Sequence, residues 1–226
     1  MIFPAEKPHA EREDYYADKA PSRQNFCWTL PLAPANIRAM QVNLNDLITD
    51  ASRVIGSVVN HEAAIRASAD AMSRSLAAGG KILTAGNGGS AADAMHLAEE
   101  LVGRYKGNRR ALAAVALNSD ATALTCIAND FSFDEVFSRQ IEALGREGDV
   151  LVIFSTSGNS VNILNALDTA KRCGMVTVAM LGKTGGKAKG RADHEIVIVS
   201  QDGARVQEAH TLILHLWLEL IEAAMK

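Results

Sequence analysis

The sequence VLVIFSTSGNSVNIL, at residues 150–164, carries the information that decides the fold class. Its first part, 150–154, is apolar at every position, which is typical of a strand covered on both faces within a parallel sheet. From Asn159 onward, apolar residues recur at helical spacing. The loop between them carries four hydroxyl side chains, on Ser155, Thr156, Ser157 and Ser160. The stretch therefore predicts a strand, a hydroxyl-rich loop and a helix in succession.

The same alternation extends along most of the chain. Four more short apolar runs occur, at 81–85, 112–117, 176–181 and 196–199. Helical periodicity predicts helices at 41–59, 61–78, 90–105, 120–144 with a break near Asn129, 159–173, 184–191 and 203–225. Buried strands joined by helical crossovers predict an α/β fold with a parallel sheet covered on both faces. Ligands of such sheets bind beyond the carboxyl ends of the strands.

Composition narrows the class of protein. The chain has 226 residues, of which 48% are hydrophobic and 22% charged, and its formal net charge is −3. This balance excludes a mainly nucleic-acid-binding role, and no apolar run reaches membrane-spanning length. Three cysteines without a CxxC motif indicate free thiols in a reducing compartment, so we expect a cytoplasmic protein.

The prolines mark a boundary near the amino terminus. All five lie within the first 34 residues, and none follows Met40. This shift predicts a loosely ordered extension at 1–39 and a single domain at 40–226.

The hydroxyl-rich loop is a candidate phosphate site. Serine and threonine hydroxyls donate hydrogen bonds to phosphate oxygens, and a helix amino terminus adds backbone donors and partial positive charge. Capping of the helix alone needs one such side chain, so the repeated hydroxyls favour phosphate binding.

A second loop, Gly86-Asn87-Gly88-Gly89-Ser90, follows the run 81–85 and precedes a predicted helix. With Ala91 it matches the dinucleotide-binding motif G-x-G-x-x-A. A dinucleotide site also needs an acidic residue about 20 residues further on, but Asp120, the residue in that place, lies 32 residues after Gly88. A tight turn without ligand remains an alternative. The segment Gly182-Lys183-Thr184 lacks the upstream glycine of a P-loop, because position 177 is a threonine.

Two polar pairs on helices are candidates for chemistry. His96 and Glu100 are spaced i, i+4 and share a helix face, and Gln207 and His215 lie about two turns apart. Taken alone, each pair is equally compatible with a surface pair or a core histidine. His215 lies among leucines and needs a polar partner, for which Glu100 or a metal is a candidate.

Four segments together resemble the phosphoheptose isomerases, which belong to the sugar isomerase (SIS) domain superfamily. They are GNGGSAADAMHLAEELVGRY at 86–105, ALNSDATALTCIANDFSFDEVFSRQI at 116–141, GREGDVLVIFSTSGNSVNIL at 145–164 and RVQEAHTLILH at 205–215. The resemblance runs in register from about Met40 to the carboxyl terminus. It implies a three-layer αβα sandwich with a five-stranded parallel sheet, preceded by helices, in a homotetramer with active sites at subunit interfaces.

The resemblance also implies the reaction, which converts D-sedoheptulose 7-phosphate to D-glycero-D-manno-heptose 7-phosphate in heptose biosynthesis for lipopolysaccharide. Glu100 corresponds to the general base and His215 to the acid/base histidine. A Zn²⁺ site, present in some members, corresponds to His96, Glu100, Gln207 and His215. The substrate and phosphate contacts correspond to Asn87, Gly88, Gly89, Ser90, Arg104, Asp120, Ser155, Thr156, Ser157, Ser160 and Gln207. An acidic residue expected near the start of the last helix is absent, since position 204 is alanine and Asp202 is the nearest candidate.

Two other functions fit the same fold. One is a non-enzymatic relative that binds the bacterial replication initiator, in which the glutamate and the last-helix histidine are replaced. The presence of both Glu100 and His215 favours the enzyme. The other is an isomerase of a different sugar phosphate, which the same loops and acid–base pair would serve.

Overall fold

Two helices precede the sheet in this computed structural model, which describes residues 42–225. Helix α1 (Leu44–Gly56) continues through a 3₁₀ turn (Ser57–His61) into α2 (Glu62–Ala77). The Asn43 side chain caps α1 by accepting a hydrogen bond from the Asn45 amide. Both predicted amino-terminal helices are confirmed, and the predicted extension at 1–39 lies outside the described residues.

Five parallel strands form one sheet in the order β2-β1-β3-β4-β5. They are β1 (Ile82–Gly86), β2 (Ala114–Ala116), β3 (Val150–Ser155), β4 (Val176–Gly182) and β5 (His194–Ile198). The remaining helices are α3 (Gly89–Val102), α4 (Ala121–Asp130), α5 (Ser138–Leu144), α6 (Val161–Arg172) and α7 (Gly203–Ala224). The prediction of a three-layer αβα sandwich with a five-stranded parallel sheet is confirmed.

The apolar strands have two buried faces, as their sequences predict. On β3, Val150, Val152 and Phe154 join one core cluster, whereas Leu151 and Ile153 join the other. The first cluster includes side chains of α1, α2, α3 and α7, and the second includes side chains of α5 and α6. Each fully buried side chain of this size contributes about 1.5–3 kcal/mol to folding.

The predicted helix at 184–191 is wrong. Only a 3₁₀ turn (Gly186–Ala188) forms there. Three glycines in this segment, Gly185, Gly186 and Gly190, and also Lys183 have positive φ, which an α-helix does not allow. Strand β2 is also shorter than the apolar run 112–117, because it is an edge strand paired with β1 alone.

The chain reverses its direction of travel across the sheet at β1. From β1 it passes to β2 on one side, and β3 then pairs with the other side of β1, with Gly86 opposite Phe154. This is a topological switch point, where loops diverge and leave a crevice at the carboxyl ends of the strands. The two loops singled out in the sequence follow β1 and β3 and therefore flank this crevice. In the part of the chain described, none of the helices is both long and apolar enough for a membrane span.

Candidate active site

The loop after β1 turns sharply into α3. Gly88 has φ +58° and is the N-cap of α3, which no side chain caps by a hydrogen bond. A Cβ atom on Gly86 would lie 2.3 Å from the Ser90 carbonyl oxygen, so only glycine fits there. The side-chain amides of Asn87 and Asn162, which lies on α6, donate one hydrogen bond to each other, at 2.9 and 3.0 Å. The first loop is thus fixed to the helix that follows the second loop.

The hydroxyl-rich loop after β3 is held by its own side chains. Ser155 Oγ accepts a hydrogen bond from the Gly158 amide at 3.1 Å, and Ser157 Oγ accepts one from Asn159 at 3.2 Å. A hydroxyl that accepts from the backbone keeps its own hydrogen free to donate to a ligand. Thr156 is half-buried between them.

Helix α6 starts at Val161, two residues later than the predicted start at Asn159. The reason is that the Asn159 side chain binds the Ser157 carbonyl group and the Lys187 amide, which keeps its backbone outside the helix. Ser160 is the N-cap and makes no side-chain capping hydrogen bond. Its hydroxyl group therefore lies at a helix amino terminus, where an anion is stabilised.

Helices α3 and α7 bring the two polar pairs together. The rings of His96 and His215 meet edge to face, with centroids 5.1 Å apart. His96 Nε2 lies 3.7 Å from Glu100 Oε1. Gln207 lies against the amino terminus of α3, since a Cβ on Gly89 would be 2.3 Å from Gln207 Nε2. Both pairs thus lie along the contact between α3 and α7, with His215 at His96 and Gln207 seven residues earlier on α3, at Gly89.

The donor atoms at this contact suit a divalent metal. Ligand atoms of His96, Glu99 and Glu100 lie within 4.8 Å of one another. Donors of a tetrahedral Zn²⁺ site are about 3.4 Å apart when the bonds are about 2.1 Å long, so small side-chain movements suffice. His215 is not part of this group, although its ring contacts that of His96. Imidazole nitrogen with carboxylate oxygen is a donor set that Zn²⁺ accepts. Glu99 is exposed and was not predicted as a ligand.

Asp93 is a buried carboxylate of this contact that the sequence did not single out. It is 7% exposed, and its Oδ1 accepts a hydrogen bond of 2.9 Å from Thr211 on α7. Burial raises the pKa of Asp93, while the Thr211 hydrogen bond and the nearby His96 act in the opposite direction. Its position three residues before His96, on the same helix face, was the available sequence signal.

Tyr105, from the segment after α3, was also missed as a site residue. Its ring stacks on the His215 ring with centroids 5.7 Å apart and planes 19° from parallel. In the structure, the rings of Tyr105 and His96 both contact the His215 ring. Tyr105 ends the motif at 86–105, but no spacing rule connects it to His215, which is far away in the sequence.

The remaining predicted residues have local structural roles in the chain as it stands. The exposed Arg104 donates to Asn108 Oδ1 at 2.9 Å. Asp120 is the N-cap of α4 and accepts from the Thr122 and Ala123 amides. Asp202 is the N-cap of α7 and accepts from the Ala204 amide at 2.8 Å. A capping carboxylate keeps acceptor capacity for a substrate hydroxyl, so these roles are compatible with substrate contact.

Comparison with known proteins identifies the family to which this fold belongs. Residues 47–182 match the family model described as the SIS domain. Phosphoheptose isomerase from Paramagnetospirillum magneticum is 57% identical over 149 residues, which cover 66% of this chain and 78% of the relative. The protein of that name from Vibrio vulnificus is 48% identical over 183 residues, covering 79% of this chain and 95% of the relative.

A solved structure agrees with these relatives. The phosphoheptose isomerase of Neisseria gonorrhoeae superposes with a TM-score of 0.74 at 40% identity, over 80% of this chain and 97% of that one. The chain therefore belongs to the phosphoheptose isomerase family of SIS domain proteins.

Proposed function

We propose that this chain interconverts D-sedoheptulose 7-phosphate and D-glycero-D-manno-heptose 7-phosphate, an aldose–ketose isomerisation at the start of ADP- or GDP-heptose biosynthesis for lipopolysaccharide. The observation that carries this proposal is the contact between His96 and His215. It joins α3, which bears Glu100, to α7 beside the loop that follows β1. The name of the relatives, phosphoheptose isomerase, supports a heptose phosphate as the substrate.

The phosphate end of the substrate is assigned to the crevice loops. Hydroxyl groups of Ser155, Thr156, Ser157 and Ser160, with Ser90 and the amino termini of α3 and α6, hold the 7-phosphate. Asn87, Arg104 and Asp120 contact the sugar. Binding at this remote end orients the other end of the chain, where the reaction occurs.

The reacting end is assigned to Glu100 and His215. Glu100 removes a proton from C1 of the ketose, which leaves an enediolate, and returns the proton to C2. His215 transfers a proton between the two oxygens on C1 and C2, so atoms and charge balance across the isomerisation. General acid–base catalysis of this kind contributes roughly 10² to 10⁴-fold in rate.

A Zn²⁺ ion, one per subunit, completes the proposal. His96, Glu100, Gln207 and His215 would hold it, with Glu99 close by. When bound, the ion polarises the sugar oxygens as a Lewis acid. The nitrogen and oxygen donors accommodate other divalent ions too, so metal analysis of the purified protein decides which one is native.

The proposal also covers the assembly of the subunits and the location of the enzyme in the cell. We assign residues 40–226 to one SIS domain that forms a homotetramer with active sites at subunit interfaces. Cys126 and Cys173 are free thiols, which suits a cytoplasmic enzyme acting on a soluble metabolite.

Replacement of the base tests the reaction. Glu100→Gln keeps the size of the side chain but cannot take up the C1 proton, so turnover of sedoheptulose 7-phosphate should fall at least 100-fold. Glu142→Gln, the same change at an exposed glutamate on α5, controls for the substitution itself and should leave turnover near wild type. Turnover of Glu100→Gln within about threefold of wild type would show that the base is assigned wrongly. A wild-type protein inactive on this substrate but active on another ketose phosphate would correct the substrate instead, and no turnover of any would favour a binding role.

A further inference from the structure

The segment between α3 and β2, residues 103–113, is held to α7 by a buried ion pair. Arg109 Nε lies 3.2 Å from Glu222 Oε1, and the two side chains are only 8% and 10% exposed. Glu222 also accepts hydrogen bonds from the backbone amides of Lys106 and Gly107, at 3.3 and 3.0 Å. Moving the segment away from α7 would leave a buried charge without its partner, which is strongly destabilising. The ion pair therefore holds the segment in one position.

The carboxylate of Glu222 is stabilised in its charged form. Burial by itself raises its pKa, but the amides of Gly107 and Lys106 and the Arg109 guanidinium outweigh burial and bring the pKa below its usual value. The pair is therefore charged throughout the neutral range. No group of the proposed acid–base machinery takes part in it.

Arg109 also holds the end of α3 that carries Glu100. Its guanidinium donates to the Glu100 carbonyl at 2.7 Å and to the Leu101 carbonyl at 2.9 Å. These carbonyl groups belong to the last turn of the helix, where the backbone lacks intrahelical partners and a cation is favourable. One guanidinium thus connects the backbone of the proposed base to α7.

The contacts of Glu222 with the segment 103–113 also hold Tyr105 against His215. Tyr105 directly precedes Lys106, whose amide binds Glu222, and its ring stacks on the imidazole with centroids 5.7 Å apart. The His96 ring meets the same imidazole at nearly a right angle, with centroids 5.1 Å apart. Offset stacking and an edge contact together restrict rotation of the His215 ring, and each aromatic contact is specific in geometry.

We propose that Tyr105 is a positioning residue for His215, and that the Arg109–Glu222 pair holds both Tyr105 and the Glu100 backbone in place. This inference rests on the proposed function, because it deepens the roles assigned to Glu100 and His215. Tyr105 touches no reacting atom in this scheme. It acts through the imidazole, by holding the ring in the one orientation that serves both proton transfer and metal binding.

Two substitutions at Tyr105 separate positioning from packing. Tyr105→Leu removes the ring, whereas Tyr105→Phe keeps the ring and loses only the hydroxyl. We expect Tyr105→Leu to lower kcat about 10-fold or more with KM changed less than about threefold, and Tyr105→Phe to restore most of the lost kcat. Equal kcat values for wild type and Tyr105→Leu, or equal losses in both variants, would overturn the role of the stacked ring.

A measurement of metal affinity tests the positioning role of Tyr105 independently of isomerase activity. Groups that orient a metal ligand typically account for 10 to 100-fold in affinity. In competition with a chromogenic chelator, Zn²⁺ should bind Tyr105→Leu at least 10-fold more weakly than wild type, and Tyr105→Phe almost as tightly. If wild type binds Zn²⁺ but does not isomerise sedoheptulose 7-phosphate, the reaction is wrong while this affinity difference still decides the role of Tyr105. Unchanged affinity in Tyr105→Leu counts against that role.

The ion pair is tested by removing both charges at once. Arg109→Met or Glu222→Met alone strands a buried charge and can fail to fold, whereas the double variant leaves none. We expect the double variant to fold, to unfold cooperatively by circular dichroism, and to keep less than about one tenth of the wild-type kcat. Wild-type kcat in a folded double variant would overturn the positioning role of the pair.

Discussion

Two histidines on α7, His210 and His215, have different roles because they differ in burial and in their neighbours. His210 is fully buried, and its Nε2 lies 3.2 Å from the Leu181 carbonyl oxygen. His215 is only half-buried and faces His96 and Tyr105. The two residues are five positions apart and so point to different sides of the helix. The burial of His210 makes it a core residue, although Gln207 is only three positions away.

Burial of His210 predicts loss of stability in mild acid. Burial lowers the pKa of His210 from 6.5 to about 4, although the Leu181 carbonyl group acts in the opposite direction. Between these two values the unfolded chain binds a proton that the folded chain does not, so stability rises with pH there and falls on acidification. The free energy of unfolding should drop by about 2 kcal/mol between pH 7 and pH 5 from this residue alone.

His210→Gln provides the comparison, because it keeps a donor for Leu181 and does not titrate. Urea unfolding of wild type and variant at pH 7 and pH 5 should show a larger loss in wild type by about 2 kcal/mol. Parallel losses in the two proteins would mean that His210 does not resist protonation in the folded state.

At the same scale, the sequence predicted part of the site. Helical spacing and family motifs both point to His96, Glu100, Gln207 and His215, and the structure brings His96 into contact with His215. Asp93 and Tyr105 were missed, because their importance depends on contacts with Thr211 and His215 on α7. Contacts between residues more than 100 positions apart leave no periodic trace in one sequence.

At the scale of elements, the strands were the most predictable part. A run that is apolar at every position is stable only with both faces covered, so β1, β3 and β4 were readily located. The helix predicted at 184–191 is wrong because three glycines in this segment adopt positive φ. The ends of the short strand β2 were harder to predict. An edge strand pairs with one neighbour only, so the pairing with β1 sets where β2 begins and ends.

The conformation of the hydroxyl-rich loop depends on one glycine. Gly158 has φ +63°, and a Cβ there would lie 1.9 Å from the Gly185 carbonyl oxygen. Gly158→Ala must therefore shift the backbone that carries Ser157 and Ser160. We expect KM for the sugar phosphate to rise about 10-fold or more, because the phosphate contacts are misplaced.

Gly203→Ala is the matched control for that substitution. Gly203 lies at the start of α7, its φ is not positive, and a Cβ there meets nothing within 4 Å. Steady-state kinetics should give a KM near wild type for this variant. A similar KM in Gly158→Ala would mean that the loop does not hold the phosphate.

At the scale of the whole molecule, α1 carries apolar side chains that the rest of residues 42–225 leaves exposed. Leu44 is 66% exposed, Ile48 62% and Leu47 45%. Beyond them, a groove of about 470 Å³ runs between the 3₁₀ turn, α2 and α7, and Val59 and Leu216 are among its apolar lining residues. Apolar patches of this kind mark protein–protein interfaces. This face therefore supports the proposed homotetramer.

A charge on this face should separate the subunits. Leu47→Glu places a carboxylate where the proposed interface excludes water, and an unpaired charge buried in this way costs several kcal/mol. Light scattering coupled to size exclusion should show four subunits per particle for wild type and fewer for Leu47→Glu. Isomerase activity should be lost in parallel, because the proposed active sites lie between subunits. Leu144→Glu, the same change at a 40% exposed leucine on α5, should keep the wild-type mass and activity. A wild-type particle of one subunit, or a fully active Leu47→Glu monomer, would show that each subunit holds a complete site by itself.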